Sequence, residues 1–344
     1  MQPLVSILIP AYNAGEWIED TLRSALNQTW ENKEIIVVDD GSTDGTLEIA
    51  RKNESETVHV FTQTNQGAAA TRNQAFALCQ GDYIQWLDAD DLLAPKKISL
   101  QMELLRTLLS KRTLASGPWG NFLYRPHRAE FIATALWTDL TPTEFLLRKM
   151  QLNLHMQTGT WLVSRELTEA AGPWNTQLLG DDDGEYFCRV LLASDGVRFV
   201  PDAKVYYRAS GTTSLSYIGR SQKKMEAQWH SMQMHVEYLR SLEDSERVRT
   251  ACVQYLQNWL IFFYPERLDL VNQAQQLAAK LGGTLKTPQL SWKYSWMERL
   301  FGWRVAKWAQ RFLQASRWSV ERFADKILAI SQRPAKKWAS RIAL

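Results

Sequence analysis

Cysteine is scarce in this sequence: Cys79, Cys188 and Cys252 are odd in number and far apart. That excludes a disulfide framework and a paired-cysteine metal site, and it fits a reducing compartment. Long apolar runs are also missing. The richest, Trp259 to Tyr264, falls far below the ~18 residues of a membrane-spanning helix. Leu4 to Ala11 is apolar, but no basic residue precedes it and Glu16, Glu19 and Asp20 follow. It reads as a buried strand, and no secretory leader is expected. No repeat or low-complexity tract is present. No Gly-x-Gly-x-x-Gly follows the first apolar run, which argues against a dinucleotide-binding Rossmann fold.

What the sequence does have is an ordinary globular composition, 45% hydrophobic and 22% charged over 344 residues, with an uneven spread of charge. The formal net charge is +3, yet residues 286–344 hold 13 Lys/Arg against three Asp/Glu. The remainder is net acidic. Such a split predicts an acidic body carrying a basic tail with its own partner.

Over the first 125 residues, strand-like and helix-like segments alternate. Val5–Pro10, Glu34–Asp39, Val58–Thr62 and Tyr83–Leu87 are short β-branched or aromatic runs. Trp17–Asn27, Thr46–Lys52 and Gly67–Cys79 have helical spacing between polar breaks. This alternation implies βαβ units and a mostly parallel sheet, with the ligand beyond the carboxyl ends of the strands. Further on, Thr141, Pro142 and Glu144 form a helix start with a capping box. Gly159–Val163 is expected as a strand, Asp183–Ser194 as a helix, and Val197–Val200 and Lys204–Arg208 as strands. From Leu215 onward the pattern is almost entirely helical.

The chemistry-bearing residues lie just after the strands. In Leu87-Asp88-Ala89-Asp90-Asp91, three carboxylates crowd one turn. Like charges this close repel unless a cation sits among them, and a divalent ion on phosphate oxygens takes only one or two protein carboxylates. The plainer reading is a solvated acidic turn before the helix that starts near Pro95. Val38-Asp39-Asp40-Gly41-Ser42-Thr43-Asp44-Gly45-Thr46 follows the second strand, where a carboxylate can accept from a nucleobase imide or a ribose hydroxyl, although Thr43 or Asp44 also suits a helix cap. Asn65-Gln66-Gly67 leads into a helix carrying Arg72 and Asn73. Arg72 suits a diphosphate, or is a surface charge.

These segments resemble the family 2 glycosyltransferases with the GT-A fold. The resemblance rests on Ser6-Ile7-Leu8-Ile9-Pro10-Ala11-Tyr12-Asn13, Val37 to Asp44, Asn65-x-Gly67 with Ala70-x-Arg72-Asn73, and Leu87 to Asp91. It continues through Gly172-Pro173-Trp174, Asp182-Asp183 with Arg189, and Tyr206-Tyr207-Arg208, covering roughly residues 3–216. It implies an inverting transferase moving a sugar from a nucleotide-diphosphate donor, a UDP-sugar, to a glycan or lipid-linked acceptor with Mn²⁺ or Mg²⁺. By resemblance, Pro10 and Tyr12 line the nucleobase pocket, Asp40 holds the base, and Arg72 lies near base or phosphates. Asp88 contacts ribose or sugar, Asp90 binds the metal, and Asp183 is the catalytic base. Two departures stand out. Asp182 occupies a position where members often carry Glu, and Ala209-Ser210-Gly211 stands where some members place a His. Trp161, with Asp182, is a candidate on the acceptor side, while Trp174 is expected in the core.

The expected organisation is an α/β GT-A catalytic domain at 1–215 with a mostly parallel sheet flanked by helices, a helical extension at 216–285, and a basic amphipathic tail at 286–344. In the tail, Met297, Phe301, Val305, Trp308, Phe312, Val320, Phe323 and Ile327 share one helical face, flanked by Arg304, Lys307, Arg311, Arg322 and Lys326. Residues 296–330 therefore suit an anionic membrane surface, or pack on the catalytic domain. Nucleic acid is not an expected partner. The expected location is cytoplasmic, peripheral on the inner face of the membrane. Two other functions compete. A nucleotidyltransferase activating a sugar phosphate would need a basic residue after the first strand, and Ala11 to Gly15 has none. A non-catalytic membrane-associated protein of the same fold would not need Asp90 and Asp183.

Overall fold

The computed structural model describes residues 2–209, 218 and 221–331. The chain opens as β1 (Val5–Ala11), α1 (Ile18–Leu26), β2 (Lys33–Asp39), α2 (Thr46–Arg51), β3 (Val58–Thr62), α3 (Ala68–Leu78) and β4 (Tyr83–Trp86). It continues through β5 (Leu92–Leu93), α4 (Lys97–Leu105), β6 (Thr113–Ser116), β7 (Trp119–Phe122), α5 (Pro142–Gln151), β8 (Val163–Ser164) and α6 (Arg165–Ala171). Then come α7 (Asp182–Ala193), β9 (Gly196–Phe199) and β10 (Val205–Arg208).

Side chains alternate across a strand, and here both sets are apolar. Ile7, Ile9, Ile35 and Val37 enter one core, while Leu8, Ile36, Val38 and Trp86 enter the other. Strands buried on both faces belong in a parallel sheet covered by helices. The main sheet has the order β3-β2-β1-β4-β8, with β8 antiparallel at one edge. On α1, Ile18, Thr21, Leu22 and Ala25 repeat at the spacing of one buried helical face. A smaller sheet, β5-β10-β7, brings Arg208 at the end of β10 against the turn after β4.

The segment Gly159–Val163 differs from expectation. Thr158–Thr160 is a tight 3₁₀ turn, and the strand is only Val163–Ser164. Buried side chains take the backbone carbonyls that a neighbouring strand would use: Gln85 donates to Gly159 O at 2.8 Å and Gln101 to Thr160 O at 2.9 Å. Half of the capping box forms. Thr141 Oγ1 accepts from Glu144 N, but the Glu144 carboxylate turns to Arg247 at 2.6 Å.

Three further helices, α8 (Gln222–Leu242), α9 (Glu246–Phe263) and α10 (Leu268–Lys280), bury Met225, Met232, Cys252, Leu256 and Ala274 in the same core as Tyr186 and Val190 of α7. The expected boundary at 215/216 lies outside the described residues, as do Ser210, Gly211 and the tail beyond 331.

The last helix, α11 (Ser295–Ser331), is broken at Gly302, whose φ of 79° takes the backbone out of the helical region. Met297 and Phe301 therefore do not continue the later stripe as one face. The longer part docks through Ala306, Lys307 and Ala309, and through ion pairs further along. Lys307, one of the cations flanking the apolar stripe, is buried and donates to Tyr264 O and Glu266, each at 2.6 Å. Asp325 accepts from Tyr124 N and pairs with Arg125, and Lys326 reaches Glu16 at 3.2 Å. The opposite side, with Val305, Trp308, Phe312, Val320, Phe323 and Ile327, is exposed. Among the described residues no helix is long and apolar enough to cross a membrane.

Candidate active site

The carboxyl ends of β1, β2 and β4 open onto one crevice. At β1, Tyr12 projects with 53% of its surface exposed and Pro10 lies beside it, half-buried. Asn13 ties this loop to the next: its N–H donates to Ser42 Oγ and its Oδ1 accepts from Thr43 N, each at 2.9 Å. Gly41 has a φ of 72°, and a Cβ there would press on Asn65 N at 3.1 Å. The glycine lets the second and third strand loops touch.

Asp40 takes a different part from the one expected. It is 2% exposed, and its carboxylate accepts from Gln63 Nε2 (2.8 Å), Gln66 N (2.9 Å) and Gly67 N (2.8 Å). Three donors from the loop before α3 occupy it, so it organises that loop instead of facing the crevice. Its neighbour Asp39 belongs to the same segment at the end of the second strand, but the sequence assigns it no role singly. Asp39 Oδ2 accepts from Ser42 N and Thr62 Oγ1, both at 3.2 Å. Among the described residues, Asp39 Oδ1 is the only buried carboxylate oxygen without a hydrogen-bond partner. The sequence signal was only the doubled Asp at a strand end.

After β4 the three aspartates separate by role. Asp91 is fully buried, accepts from Arg208 N at 2.8 Å, and is pushed well above the usual carboxylate range by burial and by Asp90. It holds the turn. Asp90 and Asp88 remain toward the crevice. Burial, with Asp88 adding repulsion against the pull of Arg208, raises the Asp90 carboxyl to about 6. Arg208 Nε also donates to Asp90 O at 2.8 Å, and its guanidinium stacks on Trp17. Among the described residues no group of three His, Cys, Asp or Glu could hold a metal by itself. Two carboxylates this close suit a divalent ion that takes its other ligands from phosphate oxygens and water.

Arg72 does not face a free diphosphate position. Its Nη2 pairs with Asp88 at 2.9 Å and its Nη1 with Asp182 at 2.7 Å, while the guanidinium lies 4.4 Å over the Trp174 ring. Burial alone would lower its proton affinity, but Asp182 and Asp88 reverse that, so it stays charged. Trp174 is buried and stacked on Tyr186 at 4.0 Å, as core.

The acidic turn starts α7. Asp182 faces Arg72, and burial lifts it to about 6 despite that cation, with Asp183 and Asp88 adding to the rise. Asp183 is also raised, by burial first and then by Asp181. Its Oδ2 lies 3.5 Å from Thr158 Oγ1, beside a small cavity bordered by Lys149, His155, Met156 and Trp161. Trp161 itself is 1% exposed and stacked on Phe187 at 5.2 Å. Protein covers its faces, so the expected sugar platform is instead a wall of this cavity.

The family model "Glycosyl transferase family 2" matches residues 6–171. This is a family 2 glycosyltransferase domain. The transferase domain has the GT-A fold. A crystal structure of S. aureus TarS 1-349 in complex with UDP superposes with a TM-score of 0.62 at 18% identity, covering 80% of each chain. The mannosyltransferase PcManGT from Pyrobaculum calidifontis, in complex with GDP-Man and Mn²⁺, superposes at 0.52 with 18% identity, over 95% of this chain and 88% of that one. In sequence, Escherichia coli chondroitin synthase is 44% identical over 110 residues, 31% of this chain and 16% of the synthase. The matched stretch spans about two fifths or less of the curated relatives.

Proposed function

We propose that the chain is an inverting, metal-dependent glycosyltransferase that moves a sugar from a UDP-sugar to a hydroxyl of a glycan or lipid-linked acceptor. The observation that carries this is Arg72. It links Asp88 at the end of β4 to the acidic turn of α7, so that a donor-side and an acceptor-side carboxylate meet across one crevice. On the donor side, the exposed Tyr12 ring and Pro10 receive the nucleobase. Asp39 and Asp40 shape the strand-end loops around the base, Asp40 by holding the loop before α3. Asp88 takes a ribose or sugar hydroxyl. Asp90 holds Mn²⁺ or Mg²⁺ on the diphosphate, where such an ion supplies Lewis-acid stabilisation of the leaving group. On the acceptor side, Asp183 takes the proton of the attacking hydroxyl, and its raised proton affinity makes it a stronger base for that task. Attack opposite the leaving diphosphate inverts the anomeric centre. The UDP and the GDP-Man with Mn²⁺ in the similar folds support the donor class and the ion. A screen of nucleotide sugars for Mn²⁺-dependent release of nucleoside diphosphate tests the reading, and no release from any donor would sink it.

The outward apolar side of α11 supports an anionic membrane surface as a partner. A helix that packs only on its own body turns its large apolar side chains inward, whereas this one leaves them outside and turns in Ala306, Lys307, Ala309 and Asp325. The protein would then work peripherally on the inner face of the membrane, where lipid-linked acceptors are presented.

A further inference from the structure

The first aspartate of the acidic turn, Asp181, is hydrogen-bonded to α8. It has a φ of 56° and a ψ of 24°, a left-handed conformation that reverses the chain just before α7. Its Oδ2 accepts from Ser231 Oγ, and from Gln228 Nε2 at 3.2 Å, both on α8. Ser231 is fully buried and Gln228 nearly so. His235 Nδ1 lies 3.9 Å from the same oxygen, and Tyr255 OH sits 2.9 Å from that nitrogen. Burial holds the His235 imidazole well below its usual range, so this neighbour is uncharged. The carboxylate folds back over the first turn of α7, where a Cβ on Gly184 would collide with Asp181 Oδ1. One turn later the same helix is held again, by Tyr238 OH donating to Glu185 Oε1 at 2.8 Å. With Asp181 drawn to α8, Asp182 is directed at Arg72 and Asp183 at Thr158, on the border of a cavity that Asp181 also lines.

We infer that Asp181, Gln228 and Ser231 are positioning residues, with which α8 sets the orientation of the base on α7. The inference rests on Asp183 being that base. Asp181 serves as an acceptor of hydrogen bonds in a left-handed turn, and it takes no proton from substrate. Asn can fill both parts, because its amide oxygen accepts from Ser231 and it tolerates left-handed backbone. Ala can fill neither.

The experiment uses the full chain with an active nucleotide sugar. Asp181→Asn should retain at least about a third of the wild-type kcat, whereas Asp181→Ala and the pair Ser231→Ala with Gln228→Leu should lose about 10-fold or more. The Kd for UDP should stay within about 2-fold in all of them, since the donor side is untouched. Amide hydrogen exchange reads the anchor without turnover: in the pair variant, Glu185 to Cys188, the first amides of α7 with backbone acceptors, should lose protection while α9 keeps it. Asp181→Asn as inactive as Asp181→Ala would overturn the inference in favour of a chemical role for the carboxylate. Unchanged protection in the pair variant, or protection lost with kcat intact, would overturn it as well. Wild-type protein that turns over no donor sinks the glycosyltransferase reading instead, and the exchange data then judge the anchor alone.

Discussion

Arg72 and Asp182 meet at 2.7 Å across 110 residues of sequence, and this pair joins the helix after β3 to the turn that starts α7. Both groups are largely buried. Removing the guanidinium leaves Asp88 and Asp182 facing each other without a cation. Arg72→Met should therefore destabilise the fold by roughly 3 kcal/mol, the scale for breaking a buried pair from one side. Denaturant unfolding measures it, and a change under about 1 kcal/mol would mean that solvent already screens the pair.

The metal prediction concerns the turn after β4. Asp90→Asn should fold and bind nucleoside yet lose about 100-fold or more of its Mn²⁺- or Mg²⁺-dependent turnover. Wild-type activity that survives a chelator would count against the ion.

For the base, Asp183→Asn should abolish transfer while nucleotide-sugar binding by calorimetry survives, because the proton acceptor acts only as the bond forms. Asp182→Asn should be milder in kcat. A reversed order of the two would move the base by one residue.

The pH dependence follows from the raised carboxyls of α7. A protonated carboxyl accepts no proton, and the Asp182–Asp183 pair lies above the usual range, with Asp182 at about 6. kcat should begin to fall with decreasing pH well before the range of about pH 4 in which an unperturbed aspartate base would lose its activity. Arg72 pulls both downward, so Arg72→Met should move this limb to higher pH. A profile flat from pH 5 to pH 8 would contradict the assignment.

On α11, Trp308 and Phe312 are 52% and 55% exposed and stack on each other. Replacing both by Ser should abolish sedimentation with anionic vesicles and shift Tm by no more than ~2 °C, since little buried area is lost. Wild-type protein that ignores such vesicles at low salt would remove the membrane as partner.

The strands at the centre of the sheet were legible because burial on both faces leaves continuous apolar runs, and β2 and β3 end within a residue of where their patterns stop. The aspartates after β4 and at α7 were legible as motifs. Their partners were not. That Arg72 bridges two carboxylates, and that Asp40 is filled by loop N–H groups, depends on contacts between segments distant in sequence, which no local period encodes. The burial of Trp161 was not legible for a related reason, because the aromatic type does not reveal which faces Phe187 covers. For α11 the spacing identified the apolar side, but its outward orientation is set by Lys307 finding Glu266 and Asp325 finding Arg125.

Those two ion pairs make α11 a brace between distant parts of the molecule. It is held at Glu266, next to the end of α9, and again at Tyr124, Arg125 and Glu16, the last beside Trp17 in the loop after β1. That loop also carries Tyr12. Any ligand that prefers one placement of the brace over another must change nucleotide affinity by the same factor by which nucleotide changes its own affinity, because a coupling free energy is reciprocal. Titrating UDP with and without vesicles, and vesicles with and without UDP, would give that factor twice.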